Sequence, residues 1–246
     1  MHDPDFINEE IYKAFKFVNE DKFNEAEQVI DNLLKSSQMK ENLTTNQLQN
    51  IADICLSLGK FELARNIYIK ANNLPGVAFS LILLKEIQKA KEVLISTPDS
   101  PAKFWCEFLA ELFSENKSIQ KWPSFFEIRH FIELTVYLLL GSKNQSYINL
   151  LLKNLNKLLD INLDSEKLIG YAYFHFGDLE NALHLLNDSI KRNPYDGEIY
   201  FVLGKLHLQK GSVHDALAML ENAHLFLPDH APTKELLEKT KSIKEG

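Results

Sequence analysis

Two stretches in the last third of the chain repeat one another at a spacing of 34 residues. Eight positions of the first stretch are matched, 34 residues later, by a residue of similar size or character. The matched residues are Ile169, Gly170, Tyr173, Gly177, Ala182, Leu186, Ser189 and Pro194, followed by Leu203, Gly204, His207, Gly211, Ala216, Leu220, Ala223 and Pro228. A constant period of this length is typical of helix–turn–helix units that bury their apolar faces only by stacking. The sequence therefore predicts an all-α protein of antiparallel helix pairs, an architecture that binds partners more often than it catalyses reactions.

Glycine and proline predict where the helices of these two repeats begin and end. Gly177 and Gly211 permit the left-handed backbone that follows many helices, and Pro194 and Pro228 stop a helix and redirect the chain. Gly170 and Gly204, like Ala182 and Ala216, are small where two helices should approach closely. The predicted helices span 165–176, 179–193, about 196–210 and 213–226, and an amphipathic segment over 231–244 should cap the last repeat.

This pattern resembles the tetratricopeptide-repeat (TPR) family, clearly over residues 163–230. The family's aromatic, Leu-Gly, Ala, bulky, Ala and Pro positions are matched by Tyr200, Leu203, Gly204, Ala216, Leu220, Ala223 and Pro228. One departure is Glu166, which occupies the place that Tyr200 has in the next repeat. The resemblance implies a right-handed superhelical solenoid whose first helices line a concave groove.

The same pattern continues in degenerate form over residues 5–98. The small and bulky residues that carry it are Ala14, Phe17, Phe23, Ala26 and Ile30, then Ile51, Ala52, Gly59, Phe61, Ala64, Tyr68 and Ala71, then Ala78, Leu81, Ile87, Ala90 and Leu94. The spacing from Ala26 to Ala64 is 38 residues, and we place the four extra residues in the polar linker 36–46. The spacing from Ala64 to Ala90 is only 26, so the third repeat must have short helices or be irregular.

Between residues 99 and 162 the family pattern is lost while helical periodicity remains. Helices are predicted over 101–116, 124–140 and 144–159, with Pro101 and Pro123 placed to start two of them. The whole chain should contain about fourteen helices and no strand. We divide it into N-terminal repeats (1–98), an irregular helical segment (99–162) and C-terminal repeats with their cap (163–246), forming one continuous array. The loop 117–123 is a candidate hinge or subdomain boundary.

Composition narrows the possible partners and the compartment. The formal net charge of −7 argues against nucleic acid as the main partner, because phosphate binding relies on clustered Lys and Arg. The longest apolar run, 131–140, contains Glu133 and is about half the ~20 residues of a membrane span, so no membrane association is expected. Cys55 and Cys106 lack metal-ligand or redox spacing and lie in apolar patterns, which favours buried thiols in a reducing compartment. We therefore expect a cytoplasmic protein.

No pattern that carries catalytic chemistry is present in the sequence. A glycine-rich phosphate loop, a nucleophile elbow and paired-Cys zinc spacing are all missing. The histidines crowd into the C-terminal repeats, but their repeat positions scatter them over different helix faces, which favours satisfied or exposed side chains over a metal site. We therefore expect no catalytic residue, no cofactor and no metal, and hence no enzyme.

The candidate binding site is the groove that the resemblance predicts. Its groove-facing positions hold Lys167, Tyr171, Phe174, His175, Phe201, Lys205, Leu208, Gln209 and Lys239. Aromatic anchors are typical of peptide grooves, although one or two of these side chains would serve equally well as ordinary core. TPR domains that bind the acidic tail of heat-shock chaperones use a two-carboxylate clamp. Of the clamp positions only Lys167 matches here, since Tyr171, Val202, Pro232 and Leu236 occupy the others.

These observations favour a non-enzymatic adaptor that binds an extended peptide or an amphipathic helix of another protein. The lysines of the groove, Lys167, Lys205 and Lys239, are placed to attract an acidic flank of the ligand. Two alternatives stay open. One is an assembly or secretion chaperone of a bacterium, and the other is a structural subunit that docks through residues 100–160 into a larger complex or a homodimer.

Overall fold

The computed structural model describes residues 4–35, 43–114, 119, 121–141 and 144–245. Over these ranges the chain forms fifteen α-helices and no strand, which confirms the predicted all-α class. The helices are α1 (Pro4–Asn19), α2 (Phe23–Lys35), α3 (Thr45–Ser57), α4 (Phe61–Lys70), α5 (Leu74–Leu83), α6 (Ile87–Ile95), α7 (Pro101–Leu112), α8 (Phe125–Gly141), α9 (Gln145–Lys153), α10 (Leu155–Ile161), α11 (Ser165–His175), α12 (Leu179–Arg192), α13 (Gly197–Gln209), α14 (Val213–Phe226) and α15 (Ala231–Glu245).

The C-terminal repeats have the predicted helices. The bounds of α11 to α15 agree with the sequence-based bounds to within one residue at every end. α11 packs against α12, α13 against α14, and α15 covers α14 as a cap. Gly177 and Gly211 both have a φ of +77°, the left-handed conformation predicted for the residue that follows the first helix of each repeat.

Two glycines allow the helices of each C-terminal repeat to approach closely. A Cβ atom on Gly170 would lie 2.8 Å from a methyl carbon of Leu186, and one on Gly204 would lie 2.7 Å from a methyl carbon of Leu220. Both distances are far below an ordinary carbon–carbon contact of ~3.5–4.0 Å. Only glycine therefore fits these positions without displacing the leucine opposite, and the predicted repeat register is confirmed.

The N-terminal repeats have the same construction. α1 packs against α2, α3 against α4, and α5 against α6. Each of these six helices places a fully buried alanine at the contact: Ala14, Ala26, Ala52, Ala64, Ala78 and Ala90. The third pair is short, with ten residues in α5 and nine in α6, as the spacing of 26 residues required.

The segment between the repeats is helical but less regular. α7 begins at Pro101, where the hydroxyl of Ser100 accepts a hydrogen bond from the Lys103 N–H, and α7 packs on α5 and α6. The single helix predicted over 144–159 is wrong, because the chain breaks it at Asn154 into α9 and α10. Asparagine competes for backbone hydrogen bonds and disfavours helix interiors. The four extra residues are predicted within 36–46, of which residues 36–42 lie outside the described part of the chain. Residues 117, 118 and 120 of the candidate hinge at 117–123 lie outside it as well.

The chain forms two compact units. The first contains residues 1–123 and 141–151, and the second contains residues 124–140 and 152–246. The three-part division drawn from the sequence stays a prediction. No helix within the described ranges combines the length and the apolar character that crossing a membrane requires.

Candidate functional site

The residues predicted for the binding site lie on the first helices of the C-terminal repeats, within the second compact unit. α11 carries Lys167, Tyr171, Phe174 and His175, α13 carries Phe201, Lys205, Leu208 and Gln209, and the capping helix α15 carries Lys239. Residues three, four and seven positions apart share one face of a helix, and α11 packs beside α13. We call the surface formed by the eight residues of α11 and α13 the α11–α13 face.

Lys205 connects the two helices of this face. Its Nζ lies 5.4 Å from the ring centroid of Phe174 on α11 and 5.7 Å from that of Phe201 on α13. Both distances are within the ~6 Å range of a cation–π interaction. The Phe201 ring also meets the His230 ring edge to face, with their centroids 5.1 Å apart. An exposed ammonium group is thereby held between two aromatic rings from adjacent repeats.

The aromatic and aliphatic residues of the face are partly committed to the core. Phe201 and Leu208 pack against a buried cluster of Leu217, Leu220 and Leu237. Tyr171 packs against Leu186, Ile199 and Leu203, and burial raises the pKa of its phenol. These side chains are half-buried, so they serve the fold and still present part of their surface to solvent.

Lys167 has its partners within the chain. Its side chain is buried, and its Nζ lies 2.8 Å from a carboxylate oxygen of Asp196 and 2.8 Å from one of Glu198. Burial by itself lowers the pKa of an ammonium group, but the hydrogen bonds and charges of the two carboxylates outweigh it, so the pKa of Lys167 is raised. Asp196 also accepts hydrogen bonds from the N–H groups of Glu198 and Ile199 and so caps α13. Lys167 therefore joins consecutive repeats instead of standing free for a ligand.

The remaining predicted residues, His175, Gln209 and Lys239, lie outside the cluster of Phe174, Phe201 and Lys205. His175 is exposed, and its ring centroid lies 5.1 Å from that of Tyr137 of α8, in a tilted arrangement, and 4.9 Å from that of Phe176, edge to face. Gln209 is exposed in the last turn of α13. Lys239 forms a 2.7 Å ion pair with Glu235, one turn earlier on α15. Among the predicted residues, the structure thus brings Phe174, Phe201 and Lys205 into one cluster, and it pairs Lys167 and Lys239 with carboxylates.

A family model described as tetratricopeptide repeat matches residues 48–75. The match runs through α3 and α4 into the start of α5, one of the N-terminal helix pairs described above. Residues 48–75 therefore form a tetratricopeptide repeat. No curated protein sequence matches it.

Several solved structures resemble this chain at low sequence identity. A tetratricopeptide repeat protein from Parabacteroides merdae is 18% identical, with 96% of this chain and 98% of that chain covered and a TM-score of 0.37. The Cut9–Hcn1 hetero-tetramer of APC/C is 16% identical over 94% of this chain and 42% of that chain, with a TM-score of 0.40. The TPR2AB domain of yeast Sti1, in a complex with pHSP90, is 13% identical over 97% and 100%, with a TM-score of 0.36. Because these TM-scores are below 0.5, the similarity to the tetratricopeptide-repeat family is drawn from the matched repeat at residues 48–75.

The structure shows how the chain accommodates Glu166 at the position that Tyr200 occupies in the next repeat. The side chain is only 4% exposed, and it forms an ion pair with Arg192 at the end of α12. Burial raises the pKa of the Glu166 carboxyl, and the positive charge of Arg192 opposes that rise without cancelling it. The repeat position is thus filled by a buried ion pair in place of an aromatic ring.

This pair makes a prediction about stability and pH. Arg192→Met leaves the carboxylate of Glu166 buried without its cation, and we expect a loss of about 2 kcal/mol at pH 7, less than for a fully buried pair because the Arg192 side chain is 40% exposed. Removing Arg192 raises the pKa of Glu166 further, so the folded state binds a proton more readily than the unfolded state. The loss should therefore shrink as the pH falls from 7 toward the ordinary carboxyl pKa.

Urea denaturation at several pH values measures this effect. The double variant Glu166→Gln, Arg192→Met is the control, since it removes both charges and should show no such dependence on pH. A loss in Arg192→Met that is the same at pH 5 and pH 7 would show that the Glu166 carboxylate is not responsible for it.

The described residues contain no group of three or more His, Cys, Asp or Glu side chains that could hold a metal ion.

Proposed function

We propose that this protein is a non-enzymatic adaptor that binds a peptide segment or a helix of another protein on the α11–α13 face. The observation that supports this most directly is the cluster of Lys205 with Phe174 and Phe201, in which a charged group and two partly exposed rings lie on neighbouring helices. Interfaces draw most of their energy from a few aromatic and cationic anchors of this kind. The net charge of −7 supports a protein partner over a nucleic acid.

A cytoplasmic location is part of the same proposal. Cys55 and Cys106 are free and buried. Burial raises the pKa of each thiol to about 12, which keeps both in the protonated, unreactive form. Buried free thiols of this kind are typical of proteins from reducing compartments.

A structural subunit is the second candidate, and one observation favours it. At the start of α8, Phe125 is 51% exposed and Phe126 is 85% exposed, and the two rings contact each other edge to face. Adjacent exposed phenylalanines are uncommon on a monomer and suit a permanent contact. Size-exclusion chromatography with light scattering separates the two candidates: a dimer that Phe126→Ser converts to a monomer supports the structural subunit, whereas a monomer supports the adaptor.

The adaptor proposal predicts that Phe201→Ala weakens binding of the partner at least thirtyfold, or about 2 kcal/mol, because the ring is a half-buried anchor at the centre of the face. The partner is first captured from the native lysate and identified by mass spectrometry. Its affinity for the wild type and for the variant is then measured by isothermal titration.

Leu225→Ala is the matched control, since Leu225 is 69% exposed on α14, outside the α11–α13 face. Circular dichroism melting of each variant shows that the fold is retained. Equal affinities of wild type, Phe201→Ala and Leu225→Ala would place the binding site elsewhere on the chain.

A further inference from the structure

Lys205 differs from the other lysines and arginines whose side chains are described in the C-terminal repeats. Between residues 165 and 243, each other lysine or arginine has a carboxylate oxygen within 4.0 Å. The pairs are Lys167 with Asp196 and Glu198, Lys191 with Asp188, Arg192 with Glu166, Lys210 with Glu180, Lys234 with Asp229, Lys239 with Glu235, and Lys241 with Glu238. Within the described part of the chain, Lys205 has no carboxylate at that distance.

The ammonium of Lys205 lies between two aromatic rings. The rings of Phe174 and Phe201 approach it from two helices, and both rings are half-buried. Aromatic rings displace part of the water around the charge, and they leave its remaining side open because Lys205 is exposed. A carboxylate that approaches from solvent would therefore meet a positioned cation with apolar surface next to it, which strengthens the ion pair relative to one in bulk water.

The other end of the face has the opposite charge. The ammonium of Lys167 is shared by Asp196 and Glu198, so these three groups together carry one net negative charge. Glu198 is seven residues before Lys205 on the same helix, a separation of roughly 10 Å at a rise of about 1.5 Å per residue. A second carboxylate of the ligand would be repelled there. The face is thus complementary to one carboxylate and not to two.

We propose that the ligand of the α11–α13 face presents a single Asp or Glu side chain to Lys205, next to an apolar or aromatic residue that contacts Phe174 and Phe201. This inference rests on the proposed peptide-binding function and specifies its ligand. A side-chain carboxylate fits better than a C-terminal one, because capture of a chain terminus relies on several convergent backbone N–H donors. Lys205 lies at the centre of α13, where the backbone N–H groups already donate hydrogen bonds within the helix. They are not available to a C-terminal carboxylate.

Selection from a displayed library of random dodecapeptides, fused to a carrier at both ends, tests the proposal directly. The wild type should enrich peptides with one acidic residue adjacent to an apolar or aromatic one. Lys205→Met keeps the length of the side chain and its contact with the rings, and it should retain the apolar preference while losing the acidic one. Lys241→Met, which removes an exposed lysine of α15 outside the face, should select as the wild type does.

The affinity of one enriched peptide then measures the interaction between its carboxylate and the ammonium of Lys205. At low salt the wild type should bind it about tenfold more tightly than Lys205→Met does. The Asp→Asn or Glu→Gln form of the peptide should bind both proteins with the same, weaker affinity, and added salt should reduce the tenfold difference.

The outcomes separate the two proposals. Enriched peptides that lack an acidic preference, or that keep it in Lys205→Met, overturn the single-carboxylate inference and leave the peptide-binding function in place. Enriched peptides that require two acidic positions overturn the single-carboxylate inference as well. A second library, displayed with a free C-terminus, tests the other alternative: peptides that bind only when that terminus is free also overturn the inference. If the wild type enriches no peptide, or enriches the same peptides as Phe201→Ala, the proposed binding function fails and this inference fails with it.

Discussion

Gly204→Leu is expected to lower the stability of the C-terminal repeats by about 3 kcal/mol. The new side chain would begin 2.7 Å from the Cδ2 and Cγ atoms of Leu220. Overpacking of a core typically costs about 1–3 kcal/mol. We expect the upper end of that range because Leu220 is completely buried and packs in a cluster with Leu217 and Leu237, which are buried as well, so its side chain has little free space to move into. The melting temperature should fall by roughly 6–12 °C, as expected for a chain of this size.

Glu221→Leu is the control for the added leucine, since Glu221 is exposed on α14 and a side chain there meets no opposing helix. It should change the melting temperature little. Gly170→Leu should act like Gly204→Leu, because the corresponding contact in the preceding repeat is to Leu186 at 2.8 Å. A melting curve of Gly204→Leu that coincides with that of the wild type would show that the two helices do not approach each other at this glycine.

The helix bounds of the C-terminal repeats could be predicted from the sequence because the residues that set them act locally. Gly177 and Gly211 adopt a positive φ that other residues rarely adopt, and Pro194 and Pro228 lack the N–H that a helix interior requires. These constraints involve only a few neighbouring residues. The break at Asn154 was missed because the helical periodicity on both sides is continuous and the tendency of one asparagine to interrupt a helix is weak.

The charge arrangement of the candidate site could not be predicted in the same way. The sequence places Lys167 and Lys205 at equivalent kinds of groove position, but it does not show that the first is neutralised by Asp196 and Glu198, which lie 29 and 31 residues away. Likewise, Glu166 finds Arg192 at a separation of 26 residues. Such pairs depend on how consecutive helices are rotated and on the side-chain rotamers, which periodicity leaves open. That Lys205, and not Lys167, lacks a carboxylate partner on this face is therefore known only from the structure.

Phe108 on α7 is a buried aromatic residue of the first compact unit. The side chain is 1% exposed, and its ring centroid lies 5.0 Å from that of Trp105 and 5.5 Å from that of Trp122. The candidate hinge loop 117–123 thus contains a residue, Trp122, whose ring contacts the buried ring of Phe108. The contact between Phe108 and Trp122 therefore predicts that α7 and the end of the loop 117–123 pack as part of the first unit.

Phe108→Ala should accordingly cost about 3–5 kcal/mol, the typical loss when a buried aromatic ring is deleted and its cavity is only partly filled. Phe108→Leu conserves most of the volume and should cost less than about 1.5 kcal/mol. Tryptophan fluorescence during urea unfolding reports on this cluster directly, because both tryptophans of the chain contact Phe108. The fluorescence transition of Phe108→Ala should move to lower urea concentration together with the far-ultraviolet circular dichroism signal of the first unit. A fluorescence transition that moves while the helical signal keeps the midpoint of the wild type would mean that α7 unfolds separately from α1 to α6 and is not part of the same packed unit.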